Sequence, residues 1–197
     1  SVAEELGTAA LGRVRHRLVV THSVTAEDRA FLAAAGVSAT VVPDADGVLH
    51  APVASLLADA VTVCLGAGPA GDPWAAVRSA LSHPDPDERI SARSAFAAAT
   101  RTPLRALPDA PAARLSVAPR LSVSAPAVFG VWDADAVAVQ SPDGRVAAWS
   151  TDTRAGTPLL PALDAETALP RWRATWVDGR IAAEDVARDA RDGATPA

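Results

Sequence analysis

The sequence has no methionine, tyrosine, lysine or asparagine, and it has a single cysteine. One cysteine excludes an internal disulfide framework and a zinc site built from several thiolates. Acidic residues outnumber basic ones by 23 to 18, which gives a formal net charge of −5. This balance, without any run of basic residues, argues against a nucleic-acid-binding protein. The missing residue types are typical of a GC-rich genome, and we attach no biochemical meaning to them.

Long hydrophobic runs are also missing. No stretch reaches the roughly 18 uninterrupted apolar residues that indicate a membrane span, although 49% of the 197 residues are hydrophobic and can form a sizeable core. The first five residues include two glutamates, whereas a signal peptide begins with a basic segment and continues into an apolar one. We therefore expect a cytoplasmic protein that binds neither membranes nor nucleic acids.

The first half of the chain alternates between apolar runs and helical patterns. The runs are almost wholly apolar and do not alternate with polar residues, which is typical of strands covered on both faces. This order predicts an α/β fold with a parallel sheet. The predicted strands are 14–21, 37–42 and 61–65, and the predicted helices are 25–35, 52–60, 72–81 and 91–107.

Several helix ends carry clear signals. Thr25, Asp72 and Ser91 are suitable N-caps, because their side-chain oxygens can accept hydrogen bonds from N–H groups of the first helical turn. Pro73 follows Asp72 at a position where a helix tolerates proline. Gly36 is expected to end the first of these helices.

The second half is rich in short strand patterns. A Pro/Ala-rich linker at 108–113 separates it from the first half, and a mostly irregular segment covers 141–170. Asp178-Gly179 is a favoured two-residue turn and predicts a hairpin between 171–177 and 180–183. The other predicted strands are 115–117, 121–123, 128–132 and 137–139, two of which lie in a duplicated hexad at 114–124.

Residues 66–71 fit the pattern G-x-G-x-x-G between a predicted strand and a helix. This is the context of a dinucleotide-binding loop, in which glycines let the backbone approach a pyrophosphate. However, Pro69 lacks an amide for the phosphate, and Asp72 places negative charge at the helix start. A second strand is also not predicted after the helix. A glycine-rich turn in an α/β protein is the simpler interpretation, with dinucleotide binding as the alternative.

Four stretches, in this order, resemble the C-terminal part of the amidohydrolase superfamily, specifically metal-dependent hydrolases of the amidohydrolase-3 type. The resemblance covers roughly residues 14–183. Each stretch is weakly specific alone, and their order and spacing carry the match. The stretches are residues 15–18 with 36–43, residues 72–78 with 89–96, residues 121–133, and residues 176–180.

The resemblance implies the last three strand–helix units of a TIM-type (β/α)8 barrel, followed by part of a small β-sandwich. We assign 1–110 to the partial barrel, 111–184 to the sandwich-like region and 185–197 to a tail. A whole barrel needs about 250 residues, so the chain would be either a fragment or a reduced independent protein. An N-terminal barrel half or a second copy of the chain could complete it.

The family hydrolyses non-peptide C–N bonds through water activated by zinc or another divalent metal. Its sixth-strand pattern Arg-x-Arg-Leu-Glu-His ends on Val20 here, and its eighth-strand pattern Gly-Ser-Asp ends on Gly68. Neither side chain can bind a metal. We therefore expect no metal, no other cofactor and no catalysis by this chain alone, as in a pseudoenzyme. The alternative function is a non-catalytic structural or interaction module.

Two polar residues near these positions, His22 and Asp72, are considered as catalytic candidates. His22 lies two residues beyond Val20 and could substitute as a ligand, although a surface histidine at a strand end is the simpler interpretation. Asp72 could act as an acid, although an N-cap is the simpler role.

The remaining polar and aromatic residues are expected to be structural. We expect His16 to be structural and His50 and His83 to lie in turns without partners at ligand spacing. Cys64 should be a small buried hydrophobic residue. The tryptophans 132, 172 and 176 should contribute to the sandwich core, and Asp133 and Asp135 should be solvated carboxylates in a loop.

Overall fold

The computed structural model describes residues 7–107, 121–140, 149–150 and 159–185. The chain divides into two compact units, Ser1–Pro119 and Arg120–Ala197. The first unit contains a parallel sheet with helices, and the second contains antiparallel sheets. The predicted mixed α/β class is therefore confirmed. No closed barrel is formed by the residues that the structure describes.

In the described part of the first unit the sheet has three strands, and each strand is a parallel neighbour of the next along the chain. Helices connect the strands, as parallel pairing requires. The strands are β1 (Arg17–Val20), β2 (Ser38–Val41) and β3 (Val63–Leu65).

Six α-helices and one 3₁₀ turn are described in this unit. The longest have nine residues, whereas a membrane-spanning helix needs about 20. None of the described helices has the length and apolarity to cross a bilayer. They are α1 (Thr8–Val14), α2 (Ala26–Ala34), α3 (Val53–Ala58), α4 (Pro73–Leu81), α5 (Ala92–Thr100) and α6 (Thr102–Arg105), with the 3₁₀ turn at Pro86–Glu88.

The predicted helix caps are confirmed. The side chains of Thr25, Asp72 and Ser91 each accept a hydrogen bond from a backbone N–H in the first turn of their helix. Gly36 follows α2 with a φ of +61°, a conformation that favours glycine. These four residues fix where α2, α4 and α5 begin or end.

Two predicted boundaries are wrong in the first unit. The strand predicted from residue 14 starts only at Arg17, because Val14 ends α1 and Arg15 takes a left-handed conformation. The single helix predicted over 91–107 is divided at Arg101 into α5 and α6. Pro103 lies in the first turn of α6, and a proline cannot continue a helix from the preceding turn.

The core of the first unit lies around β2 and β3. Val41 and Leu56 are fully buried, and Val63 is 1% exposed. Burial decreases sharply towards β1, where Leu18 is 51% exposed and Val19 is 66% exposed. Helices α5 and α6 contact β3, so among the described residues the sheet is well covered at β3, whereas Leu18 and Val19 of β1 are exposed.

Two three-stranded antiparallel sheets are formed by the described residues of the second unit, with strand orders β4-β8-β9 and β6-β5-β7. Asp178 and Gly179 both have positive φ, 51° and 76°, as a type I′ hairpin turn requires. The predicted hairpin is therefore confirmed. The strands are β4 (Phe129–Asp133), β5 (Val137–Gln140), β6 (Trp149–Ser150), β7 (Leu160–Pro161), β8 (Arg171–Val177) and β9 (Arg180–Glu184).

The strand predicted at 121–123 is wrong. The N–H of Ala125 donates to the carbonyl of Ser122, and Ser124 has a φ of +66°, so the chain turns there. The predicted linker 108–113, the strand 115–117 and the tail beyond residue 185 lie outside the described residues.

Candidate functional site at the carboxyl edge of the parallel sheet

The carboxyl ends of the three parallel strands meet at one edge of the sheet. Functional side chains of α/β proteins gather at this edge because the connecting loops open there. We define the carboxyl edge as residues 20–22 after β1, 42–50 after β2 and 66–68 after β3. Val20, Val41 and Leu65 lie side by side in the pairing register and form the base of the carboxyl edge.

The two expected ligand positions of the resemblance lie at this edge. Val20 is the last residue of β1 and is 9% exposed. Gly68 has a φ of +66°, and a Cβ atom there would lie 2.8 Å from the carbonyl oxygen of Pro43. An aspartate at position 68 would therefore require both a strained backbone and a displaced Pro43.

His22 projects from the end of β1 and is exposed. Its Nδ1 atom lies 2.7 Å from the Oγ1 atom of Thr21. Its ring lies nearly parallel to the ring of His50, with the two centroids 6.5 Å apart and the planes inclined by 16°. The carboxyl edge therefore brings two imidazoles together from loops that follow different strands.

Asp44 holds His50 in this position. Its Oδ2 atom accepts a hydrogen bond from Nε2 of His50 at 2.8 Å. Its Oδ1 atom accepts bonds from the N–H groups of Asp46 and Val48, both at 2.9 Å. The N–H of Val48 and then the bond from His50 hold the pKa of the Asp44 carboxyl below its ordinary value of 3.8. Asp44 is therefore a carboxylate at neutral pH.

The loop that carries His50 is anchored on both sides. Leu49 and Ala51, its neighbours in sequence, are both fully buried. The hydroxyl of Ser79, from α4, donates to the carbonyl of Gly47 at 2.6 Å. The backbone of His50 is therefore fixed, while its side chain is 49% exposed.

The sequence pattern did not reveal this arrangement around His50. We expected a turn residue without partners at ligand spacing in the sequence, and the structure brings Asp44 from six positions earlier and His22 from the neighbouring loop. The Asp44 turn carries a local signal, because Asp-x-x-Gly is a common turn pattern. The contact with His22 depends on the parallel register of β1 and β2, which no local pattern encodes.

Asp72, the other catalytic candidate, acts as the N-cap of α4. Its Oδ1 atom accepts hydrogen bonds from the N–H groups of Trp74 at 2.8 Å and Ala75 at 3.2 Å. A pyrophosphate at this helix start would need the same amides. In addition, a Cβ atom on Gly66 would lie 2.8 Å from Cγ1 of Val42, so this glycine allows close packing of the loops. These contacts disfavour the dinucleotide alternative.

The other candidate residues of the first unit differ in their surroundings. His16 is exposed at the opposite end of β1. His83 is 5% exposed, and its Nδ1 atom accepts a bond from the N–H of Asp85 at 3.1 Å. Cys64 is buried as predicted, and this burial raises the pKa of its thiol.

In the second unit the aromatic side chains pack within the β4-β8-β9 sheet. The rings of Trp176 and Phe129 stack at 5.9 Å, and the indole N–H of Trp172 donates to Thr175. Trp132 and Trp172 are half-buried, as is Trp176.

Asp133 and Asp135, at the end of β4 and just beyond it, differ in their surroundings. Asp133 lies 3.4 Å from Nε of Arg173 in an ion pair, and Asp135 is exposed in the turn after β4. The expectation of a solvated carboxylate therefore holds for Asp135, whereas Asp133 has a cationic partner.

No group of three His, Cys, Asp or Glu side chains within the described ranges is arranged to hold a metal ion. Comparison with protein-family models, with curated proteins and with solved structures found no match for the chain.

Proposed function

We propose that this chain is related to metal-dependent hydrolases of the amidohydrolase-3 type and that it has no hydrolase activity on its own. The observation that carries this proposal is the residue content of the carboxyl edge. Val20 and Gly68 occupy the two positions where the resemblance requires metal ligands, and Gly68 lies against Pro43 without space for a side chain.

The arrangement of the strands supports the relationship. In a (β/α)8 barrel all strands are parallel and each is a neighbour of the next in sequence. The order β1-β2-β3 with intervening helices fits such a segment, and antiparallel sheets follow it along the chain. We assign β1–β3 to the last three barrel strands and β4–β9 to part of the small sandwich, in a cytoplasmic protein.

The chemistry of the edge supports the lack of activity. Hydrolysis by metal-activated water needs a site with about three protein ligands and a base beside the water. His22 and His50 are the only imidazoles at this edge among the described residues, and the carboxylate of Asp44 is engaged with His50 and two backbone amides. A complete catalytic site would need further ligands from outside this edge.

A hydrolysis assay tests the proposal. The purified chain is incubated with Zn²⁺, Mn²⁺ or Co²⁺ and with a panel of N-acyl amino acids and cyclic amides, and amine release is followed. We expect rates equal to those of the chelator-treated chain. Metal-dependent turnover that a chelator abolishes would contradict the proposal.

A second candidate function, an interaction module, is favoured by the exposure of β1. Leu18 and Val19 are half to two-thirds exposed on an edge strand, and edge strands with exposed apolar side chains favour pairing with another chain. The partner in this proposal is a barrel half or a second copy of the chain.

Light scattering across micromolar concentrations tests the self-pairing form of this proposal. We expect association that is weakened by Val19→Lys and unchanged by Val14→Lys, because Val14 is similarly exposed, at 58%, but lies on α1. A monomer at all concentrations would count against self-pairing, and binding to a co-expressed barrel half would then test the other form.

A further inference from the structure

We propose that His22 and His50 together bind one divalent transition-metal ion at the carboxyl edge, and that Asp44 is the positioning residue for His50. This site uses neither Val20 nor Gly68 and does not depend on the proposed relationship. It is a binding site of two imidazoles completed by water, which is compatible with the lack of a three-ligand cluster among the described residues.

The spacing of the two rings suits a shared ion. A metal–nitrogen bond of about 2.0–2.1 Å, together with roughly 1.1 Å from the nitrogen to the ring centre, places a metal about 3.2 Å from each ring centre. Half of the 6.5 Å between the centroids of His22 and His50 is about 3.2 Å. A nitrogen lone pair lies in the plane of its ring, so the two nearly parallel rings must rotate to direct one nitrogen each at the midpoint, and both side chains are exposed.

Each ring also keeps one nitrogen for the metal. Nε2 of His50 donates to Asp44, which leaves Nδ1 as the ligand atom. Nδ1 of His22 is paired with the hydroxyl of Thr21, which leaves Nε2. A carboxylate that accepts the second N–H of a metal-bound histidine fixes its tautomer and makes it a stronger ligand. Asp44 is in the position to act in this way on His50.

The backbone that carries the two histidines is held in place. The backbone of His50 lies between the buried residues Leu49 and Ala51, and His22 follows the end of a paired strand. Asp44 contributes a negative charge next to the cation. Imidazole ligands favour copper, nickel and zinc over magnesium or calcium, and among these copper(II) binds most tightly.

Calorimetric titration tests this site in the full chain prepared without a histidine tag. Cu²⁺ and Zn²⁺ chlorides are titrated separately, with Mg²⁺ as a negative control. We expect one equivalent of Cu²⁺ and weaker binding of Zn²⁺. We also expect His22→Ala and His50→Ala each to weaken Cu²⁺ binding about tenfold or more, and Asp44→Asn to weaken it about tenfold because it removes the carboxylate behind His50.

His16→Ala is the matched control, because His16 is also exposed but lies at the other end of β1. We expect it to bind Cu²⁺ as the unchanged chain does. Far-UV circular dichroism shows whether each variant is folded, and His22→Gln and His50→Gln replace any alanine variant that is not. No binding of Cu²⁺, binding that survives substitution of both His22 and His50, or binding that is lost in His16→Ala would overturn the proposal. None of these results depends on hydrolysis, so they are separate from the test of the proposed function.

Discussion

At the scale of single residues, Gly68 and Gly71 allow a direct comparison of how much space a side chain would have. Both have positive φ, 66° and 69°, but a Cβ atom would meet Pro43 at Gly68 and nothing within 4 Å at Gly71. An alanine in the left-handed conformation costs about 1–2 kcal/mol. We therefore expect Gly71→Ala to lower the free energy of unfolding by about that amount, and Gly68→Ala to lower it further because Pro43 must also move.

Urea denaturation of the two variants measures this difference. Equal losses would show that the contact with Pro43 does not restrict position 68, and that a metal-binding side chain could be accommodated there. A larger loss at Gly68 supports the view that the end of β3 cannot carry a ligand in this fold.

Asp44 gives a prediction about pH. Its carboxyl pKa is lowered in the folded chain, chiefly by the N–H of Val48 and then by His50. A lowered pKa stabilises the fold above the unfolded value of about 3.8, and this contribution is lost as the pH falls through the lower folded value. The stabilisation from Asp44 is therefore complete at neutral pH and is lost progressively as the pH falls below about 4.

Melting temperatures measured between pH 6 and pH 3 test this effect. We expect Asp44→Asn to show a shallower decline than the unchanged chain, because asparagine does not titrate. Asp46→Asn, in the same turn and exposed, is the control and should retain the full decline. Identical profiles for all three proteins would contradict the assigned role of Asp44.

At the scale of elements, Asp72 stabilises the start of α4. Its carboxylate accepts two N–H groups of the first turn, and replacing such an N-cap with alanine costs about 1 kcal/mol. We expect Asp72→Ala to lower the free energy of unfolding by that amount and Asp72→Asn to lower it less, since asparagine is also a good N-cap. An unchanged free energy of unfolding in Asp72→Ala would contradict the role of Asp72 as a stabilising N-cap.

The elements that could be predicted from sequence are those with local signals. Asp72-Pro73 marks the start of α4, and Asp178-Gly179 marks the β8–β9 hairpin, because both depend on residues that are adjacent in the chain. The apolar pattern at 121–123 was misleading because Ser124 adopts a left-handed conformation that forms a turn instead. The candidate site was predicted only in part, through His22. The contact with His50 arises from the pairing of β1 with β2, which brings distant residues together.

At the scale of the whole molecule, the parallel sheet is covered on one side and open on the other. In the row Val19–Thr40–Cys64, the exposed fraction falls from 66% at Val19 to 2% at Cys64. A sheet segment that continued beyond β1 would bury Leu18 and Val19, as barrel strands do. The proposed relationship and the proposed pairing surface therefore rest on the same open edge.

The decisive measurement is the hydrolysis rate and the metal content of one preparation of the chain after incubation with Zn²⁺. We predict that amine release from N-acyl amino acids and cyclic amides equals that of a chelator-treated sample, even if His22 and His50 retain an ion. Stoichiometric zinc accompanied by turnover, with both lost on chelation, would contradict the conclusion that the carboxyl edge with Val20 and Gly68 lacks a catalytic centre.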